Sequence, residues 1–166
     1  MILVELTMNN ELRTKFGLTL VEILIVVAVI ALLAAMVIGI SSRIDNQAKE
    51  KGMKNIFTVL DGALQEYYEY KGFFPEQTEE DFANADAHSE YLYDKLNSIP
   101  DSRKVLEQIS NRLIQNSPDS PSAVPEIYDL WGTVLDYIYQ SGENFPRLTS
   151  AGPDKEFGTP DDISNR

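Results

Sequence analysis

Four carboxylates, Asp154, Glu156, Asp161 and Asp162, fall within Ser150-Ala151-Gly152-Pro153-Asp154-Lys155-Glu156-Phe157-Gly158-Thr159-Pro160-Asp161-Asp162-Ile163, among Gly and Pro residues that force tight turns. Such a loop offers side-chain and carbonyl oxygens to a hard cation, and calcium takes six to eight of these. The spacing is not that of an EF-hand, which needs ligands at fixed alternating positions and a closing Glu. A second group with chemical potential is Glu22, an acid inside an otherwise apolar run, where burial of its charge in hydrocarbon would cost about 2.5 kcal/mol or more. The one histidine, His88, has no second His or Cys near it and reads as a solvated loop residue without chemistry.

The rest of the composition excludes more than it offers. No Cys is present, so a disulfide framework, a zinc ribbon, an iron–sulfur cluster and a cysteine nucleophile are all excluded. Neither G-x-S-x-G nor a phosphate-binding glycine loop occurs, and no enzyme activity is expected. Asp and Glu number 26 against 14 Lys and Arg, for a net charge of -12. That balance repels phosphate backbones, so no nucleic-acid partner is expected.

These groups sit on unlike pieces of chain. Residues 18–40, LTLVEILIVVAVIALLAAMVIGI, carry only Thr19 and Glu22 as polar side chains. As a helix the run would span roughly 35 Å, enough to cross a bilayer core of about 30 Å, and it is too long for the apolar region of a cleaved secretory signal. Lys and Arg counts on either side do not place the N-terminus inside. Beyond Ile40, Ile44, Ala48, Met53, Ile56, Phe57, Leu60, Ala63, Leu64, Tyr67 and Tyr68 recur near a 3.6-residue period, which predicts one helix from about Leu18 to Lys71, stopped by Gly72 and Pro75. Residues 79–97 and 102–115 read as two short helices, and Pro118, Pro121 and Pro125 as a loop. Alternation through Val134–Tyr139 predicts a strand, with Asn144–Ser150 as its partner and Trp131 as an anchor against the long helix.

Lys15-Phe16-Gly17 followed by Leu18-Thr19-Leu20-Val21-Glu22 resembles the class III signal of type IV pilins and type II secretion pseudopilins. The resemblance implies cleavage after Gly17 by a membrane prepilin peptidase, methylation of the new N-terminal amine on Leu18, and an assembly role for Glu22. In that scheme, an amine and a carboxylate from neighbouring subunits neutralise one another in lipid. Leu18 stands where the family usually has Phe, and Gly39 where it usually has Pro. Tyr67-Tyr68 with Lys71-Gly72-Phe73-Phe74-Pro75 is similar to the family's end-of-helix pattern. Asp129-Leu130-Trp131-Gly132 before a Tyr-bearing strand resembles the major pseudopilin of type II secretion, which carries calcium near its C-terminus. Carried over, the carboxylates of Asp154, Asp161 and Asp162 and the carbonyls of Ala151, Glu156 and Thr159 would hold that ion. The likeness covers the first 75 and last 40 residues and leaves the middle unassigned.

The implied fold is α+β and type IV pilin-like: a long N-terminal helix packed on a small C-terminal antiparallel sheet, with short helices between. Its divisions would be a leader over 1–17, a transmembrane half-helix over 18–40, an amphipathic half over 41–72, a variable region over 73–128, and the sheet with its acidic loop over 129–166. The implied role is a structural subunit of a pseudopilus that drives type II protein secretion. The implied setting is the bacterial inner membrane, with a single pass and a soluble head outside it. Its partners would be further copies, minor pseudopilins, the inner-membrane assembly platform and the peptidase. The alternatives are a type IV pilin for adhesion, motility or DNA uptake, and a membrane-anchored calcium-binding protein that does not polymerise.

Overall fold

A computed structural model describes residues 19–117 and 122–166, and the helix backbone but not the side chains over 37–42. The chain is α+β and divides into two compact units, residues 1–42 and 43–166. Helix α1, Leu20–Lys71, contributes to both. In the first unit, every described side chain from Leu20 to Met36 is exposed, Leu20 at 81%. Among the described residues no helix is long and apolar enough to cross a membrane. The expected span over 18–40 lies partly outside them, since Leu18 and the side chains of residues 37–40 are not described.

In the second unit the apolar period of α1 buries Met53, Phe57, Leu60, Ala63, Leu64 and Tyr67. The helix ends where expected. Gly72 adopts φ +81, a left-handed conformation that costs glycine nothing, and its N–H donates to Tyr68 O at 2.7 Å. After Pro75, whose carbonyl accepts the Tyr137 hydroxyl at 2.6 Å, Gln77 bridges Tyr139 in antiparallel fashion. A 3-10 turn over Phe82–Asn84 leads into α2, Ala85–Ser98, and then α3, Pro100–Leu106, with proline in its first turn where a missing N–H is harmless. Leu92, Leu96 and Leu106 complete the core with Leu135 and the strand residues Ile127, Tyr137 and Leu148.

The helix expected over 102–115 stops at Leu106. Turn bonds from Gln108 N to Val105 O, Ile109 N to Leu106 O and Leu113 N to Ser110 O end it, and Ile114–Gln115 becomes strand β1. β1 pairs with β2, Glu126–Ile127, so the apolar spacing that mimics a helix serves a turn and a strand. The helix expected over 79–97 starts later, at Ala85, because the preceding residues are taken by the Gln77 bridge and the 3-10 turn. The second sheet is antiparallel in the order β3 (Asp136–Ile138), β4 (Arg147–Ser150), β5 (Ile163–Ser164).

Candidate functional site

The acidic loop is the connection of a hairpin. Ser150, the last residue of β4, lies opposite Ile163, the first of β5, so the pairing of those strands brings the two ends of residues 151–162 together. Gly152 makes that closure tight: its φ is +68, and a Cβ there would stand 2.2 Å from the carbonyl oxygen of Asp161. Only glycine fits at such a distance. Lys155 N donates to Gly152 O at 3.3 Å, and Lys155 takes the left-handed φ of 65 that completes the first turn.

Each carboxylate expected to bind a cation accepts from a backbone donor of the loop. Asp154 N donates to Asp161 Oδ2 at 3.2 Å, Glu156 N to Asp154 Oδ1 at 2.9 Å, and Gly158 N to Asp162 Oδ2 at 2.8 Å. The Thr159 hydroxyl lies 2.5 Å from Asp161 Oδ1 and 3.2 Å from the Glu156 carbonyl oxygen. Its hydrogen bond, helped by the Asp154 backbone N–H, holds the Asp161 carboxyl below the usual carboxylate range. Asp162 Oδ1 is buried without a hydrogen-bond partner. Ala151 is fully buried beside the Gly152 turn. Phe157, at the far side of the loop, stacks on Phe82 with ring centroids 4.8 Å apart and planes within 5°. Among the described residues, no three His, Cys, Asp or Glu side chains are placed to hold a metal ion by themselves.

Behind the loop stands Asp129, which is 1% exposed. Its Oδ1 accepts from Trp131 N at 2.9 Å and Thr133 N at 2.8 Å, closing the turn in which Gly132 has φ +86. Its Oδ2 accepts the Ser150 hydroxyl at 2.7 Å. The same turn seats Trp131 as expected, with Nε1 donating to Asn46 Oδ1 of α1 at 3.1 Å. Gly52 of α1 gives way to the turn, since a Cβ there would meet Leu130 Cδ1 at 2.6 Å. The sequence marks Asp129 as part of a motif, but nothing in it announces the bond to Ser150.

His88 corrects the expectation of a solvated loop residue. It lies on α2, is 4% exposed, and its Nδ1 is 2.7 Å from Asp136 Oδ1 on β3. With a carboxylate as acceptor, Nδ1 carries the proton. Nε2 is buried without a hydrogen-bond partner, 3.6 Å from Glu79 Oε2. No signal near His88 in the sequence points to an acid 48 residues away.

At the other end of the chain, Gly17 and Leu18 lie outside the described residues. Glu22 is described, and it closes a capping box. Thr19 Oγ1 accepts from Glu22 N at 3.2 Å, while Glu22 Oε2 accepts from Thr19 N at 2.8 Å and from Thr19 Oγ1 at 2.9 Å. This satisfies backbone N–H groups that have no intrahelical partner at a helix start.

No protein-family model matches the chain, and neither a curated protein nor a solved structure matches it.

Proposed function

We propose that the chain is a type IV pilin-like structural subunit, of the kind that forms the pseudopilus of type II protein secretion. In this reading it is anchored in the bacterial inner membrane by residues 18–40, cut by prepilin peptidase after Gly17 and methylated on Leu18. It then polymerises with further copies, minor pseudopilins and the assembly platform as partners. The observation that carries the reading is the exposed surface of α1: Leu20 to Met36 present a helix apolar on all sides. Such a surface is stable only against lipid or other helices. Glu22 is the exception, and it lies in the first turn, beside the expected cleavage point.

Calcium belongs to the same proposal. The loop's donors are all oxygen, and the buried, unpartnered Asp162 Oδ1 and the close Gly152–Asp161 approach suit a cation that gathers both ends of the hairpin. The carboxylates of Asp154, Asp161 and Asp162 would hold it, with the carbonyls of Ala151, Glu156 and Thr159 supplying the rest. Its chemistry there is structural, tying down a C-terminal segment that has no disulfide to pin it.

Intact mass after coexpression with a prepilin peptidase tests the assignment. The expected product begins at methylated Leu18, and Gly17→Ala abolishes it. A chain that keeps its leader, or is cut regardless of residue 17, refutes the pilin-like reading.

A further inference from the structure

We infer that Asp129 is the positioning residue of the acidic loop, holding its first limb through Ser150 and joining it to the Trp131 turn. The inference rests on the proposal that this loop takes calcium, and it assigns the preparation of that site to a carboxylate that does not touch the ion.

The geometry is a relay of three groups. Asp129 Oδ2 accepts the Ser150 hydroxyl at 2.7 Å, and that hydroxyl oxygen accepts the Gly152 N–H at 3.2 Å. Gly152 is the residue whose approach to the Asp161 carbonyl leaves no room for a Cβ, so a displacement of Gly152 moves the segment bearing Asp161 and Asp162. Asp129 and Ser150 are 1% and 0% exposed, and water does not replace either partner when the bond is broken. The other oxygen of Asp129 is already committed to Trp131 N and Thr133 N. One buried carboxylate therefore sets two turns at once, the turn that docks Trp131 on Asn46 and the turn that opens the loop. A buried acid with a charge-assisted hydroxyl bond is a costly way to stabilise a hairpin alone, since an apolar pair of the same shape would serve equally well. Its use here is directional: it fixes where Gly152, and with it the Asp154 and Asp161 carboxylates, must stand.

The test uses the full chain in detergent micelles, with Ser150→Ala as the first variant, because it removes the hydroxyl and leaves both bonds to Asp129 Oδ1 intact. Hydrogen exchange over residues 151–162 in chelator is expected to accelerate about tenfold, as loss of a buried charge-assisted bond implies. Exchange in α2 stays at the wild-type rate. The calcium dissociation constant is expected to weaken by a similar factor. Emission from the chain's one tryptophan is expected to stay unchanged in Ser150→Ala and to shift in Asp129→Asn, which disturbs both turns. Loop exchange within twofold of wild type in Ser150→Ala overturns the inference, and so does an equal acceleration across loop and α2. If the wild-type chain binds no calcium, the cation reading fails by itself, and the chelator comparison still decides whether Asp129 holds the loop.

Discussion

Replacing His88 by Ala removes the hydrogen-bond partner of a buried carboxylate. Asp136 is 4% exposed, and the His88 imidazole bonds it at 2.7 Å between α2 and β3. The variant loses an imidazole packed at 4% exposure and strands a buried acid. Leaving a buried polar group without its hydrogen-bond partner costs about 1–3 kcal/mol, and the lost packing of the imidazole adds to it. For a unit of this size, about 3 kcal/mol lowers Tm by roughly 10 °C. His88→Asn separates the parts, because its side-chain N–H can stand near the former Nδ1 and keep a donor on Asp136. It is expected to lose only about 1 kcal/mol. The assay is urea unfolding of the full chain in detergent, followed by circular dichroism, for His88→Ala, Asp136→Ala and the double variant. The two single losses are expected to exceed the double by about 2 kcal/mol, the signature of direct contact. A loss under 1 kcal/mol in His88→Ala, or strict additivity, would refute the claim that this pair joins α2 to the sheet.

Gly152→Ala is expected to weaken the loop far more than Gly142→Ala, which also has positive φ but has no atom within 4 Å of the added methyl. Tm of the two variants measures the difference, and equal losses would show that the Asp161 approach is not tight. Asp61 is held above the usual carboxylate range by burial, partly offset by the Asn165 amide that donates to it at 2.7 Å. A raised folded value means that its stabilising contribution is present below the ordinary value of 3.8 and lost as pH rises through the folded one. Asp61→Asn, which keeps an acceptor for Asn165, should therefore gain in Tm relative to wild type between pH 3 and pH 7, and a constant difference would count against the burial argument. Alanine at both Asp161 and Asp162 is expected to remove a calcium-dependent rise in Tm, worth about 2.7 kcal/mol at one hundred times the dissociation constant. A rise that survives the double substitution moves the ion elsewhere.

Features that depend on neighbours in the chain were legible in the sequence. Gly72 ends α1 because its left-handed turn needs no distant partner, and Trp131 docks on α1 because an apolar ring flanked by turn residues has few other places to go. The loop's turns were legible for the same reason, since Gly152 and Gly158 both take positive φ. Pairs that exist only after the fold closes were not legible. His88 carries the same one-letter signal whether solvated or bonded to Asp136, and Asp61 gives no hint of Asn165. The apolar residues Val105, Leu106, Ile109 and Leu113 fit a helical period, but the N–H groups of Ile109 and Leu113 close turns instead, and the next residues, Ile114–Gln115, pair with Glu126–Ile127.

The same division explains how the acidic loop is built. Its carboxylates are supplied locally, by residues at fixed spacing on one hairpin connection, and a sequence displays them openly. Their placement is not local, because the hairpin is oriented by Asp129, which lies two strands earlier and spends one oxygen on its own turn and the other on Ser150. A substitution that spares every expected ligand can therefore still disorder the loop. Conversely, losing one ligand carboxylate leaves the Asp129–Ser150–Gly152 relay standing. The two kinds of variant should differ in chelator, where the ligand variant keeps wild-type exchange over residue 152 and the relay variant does not.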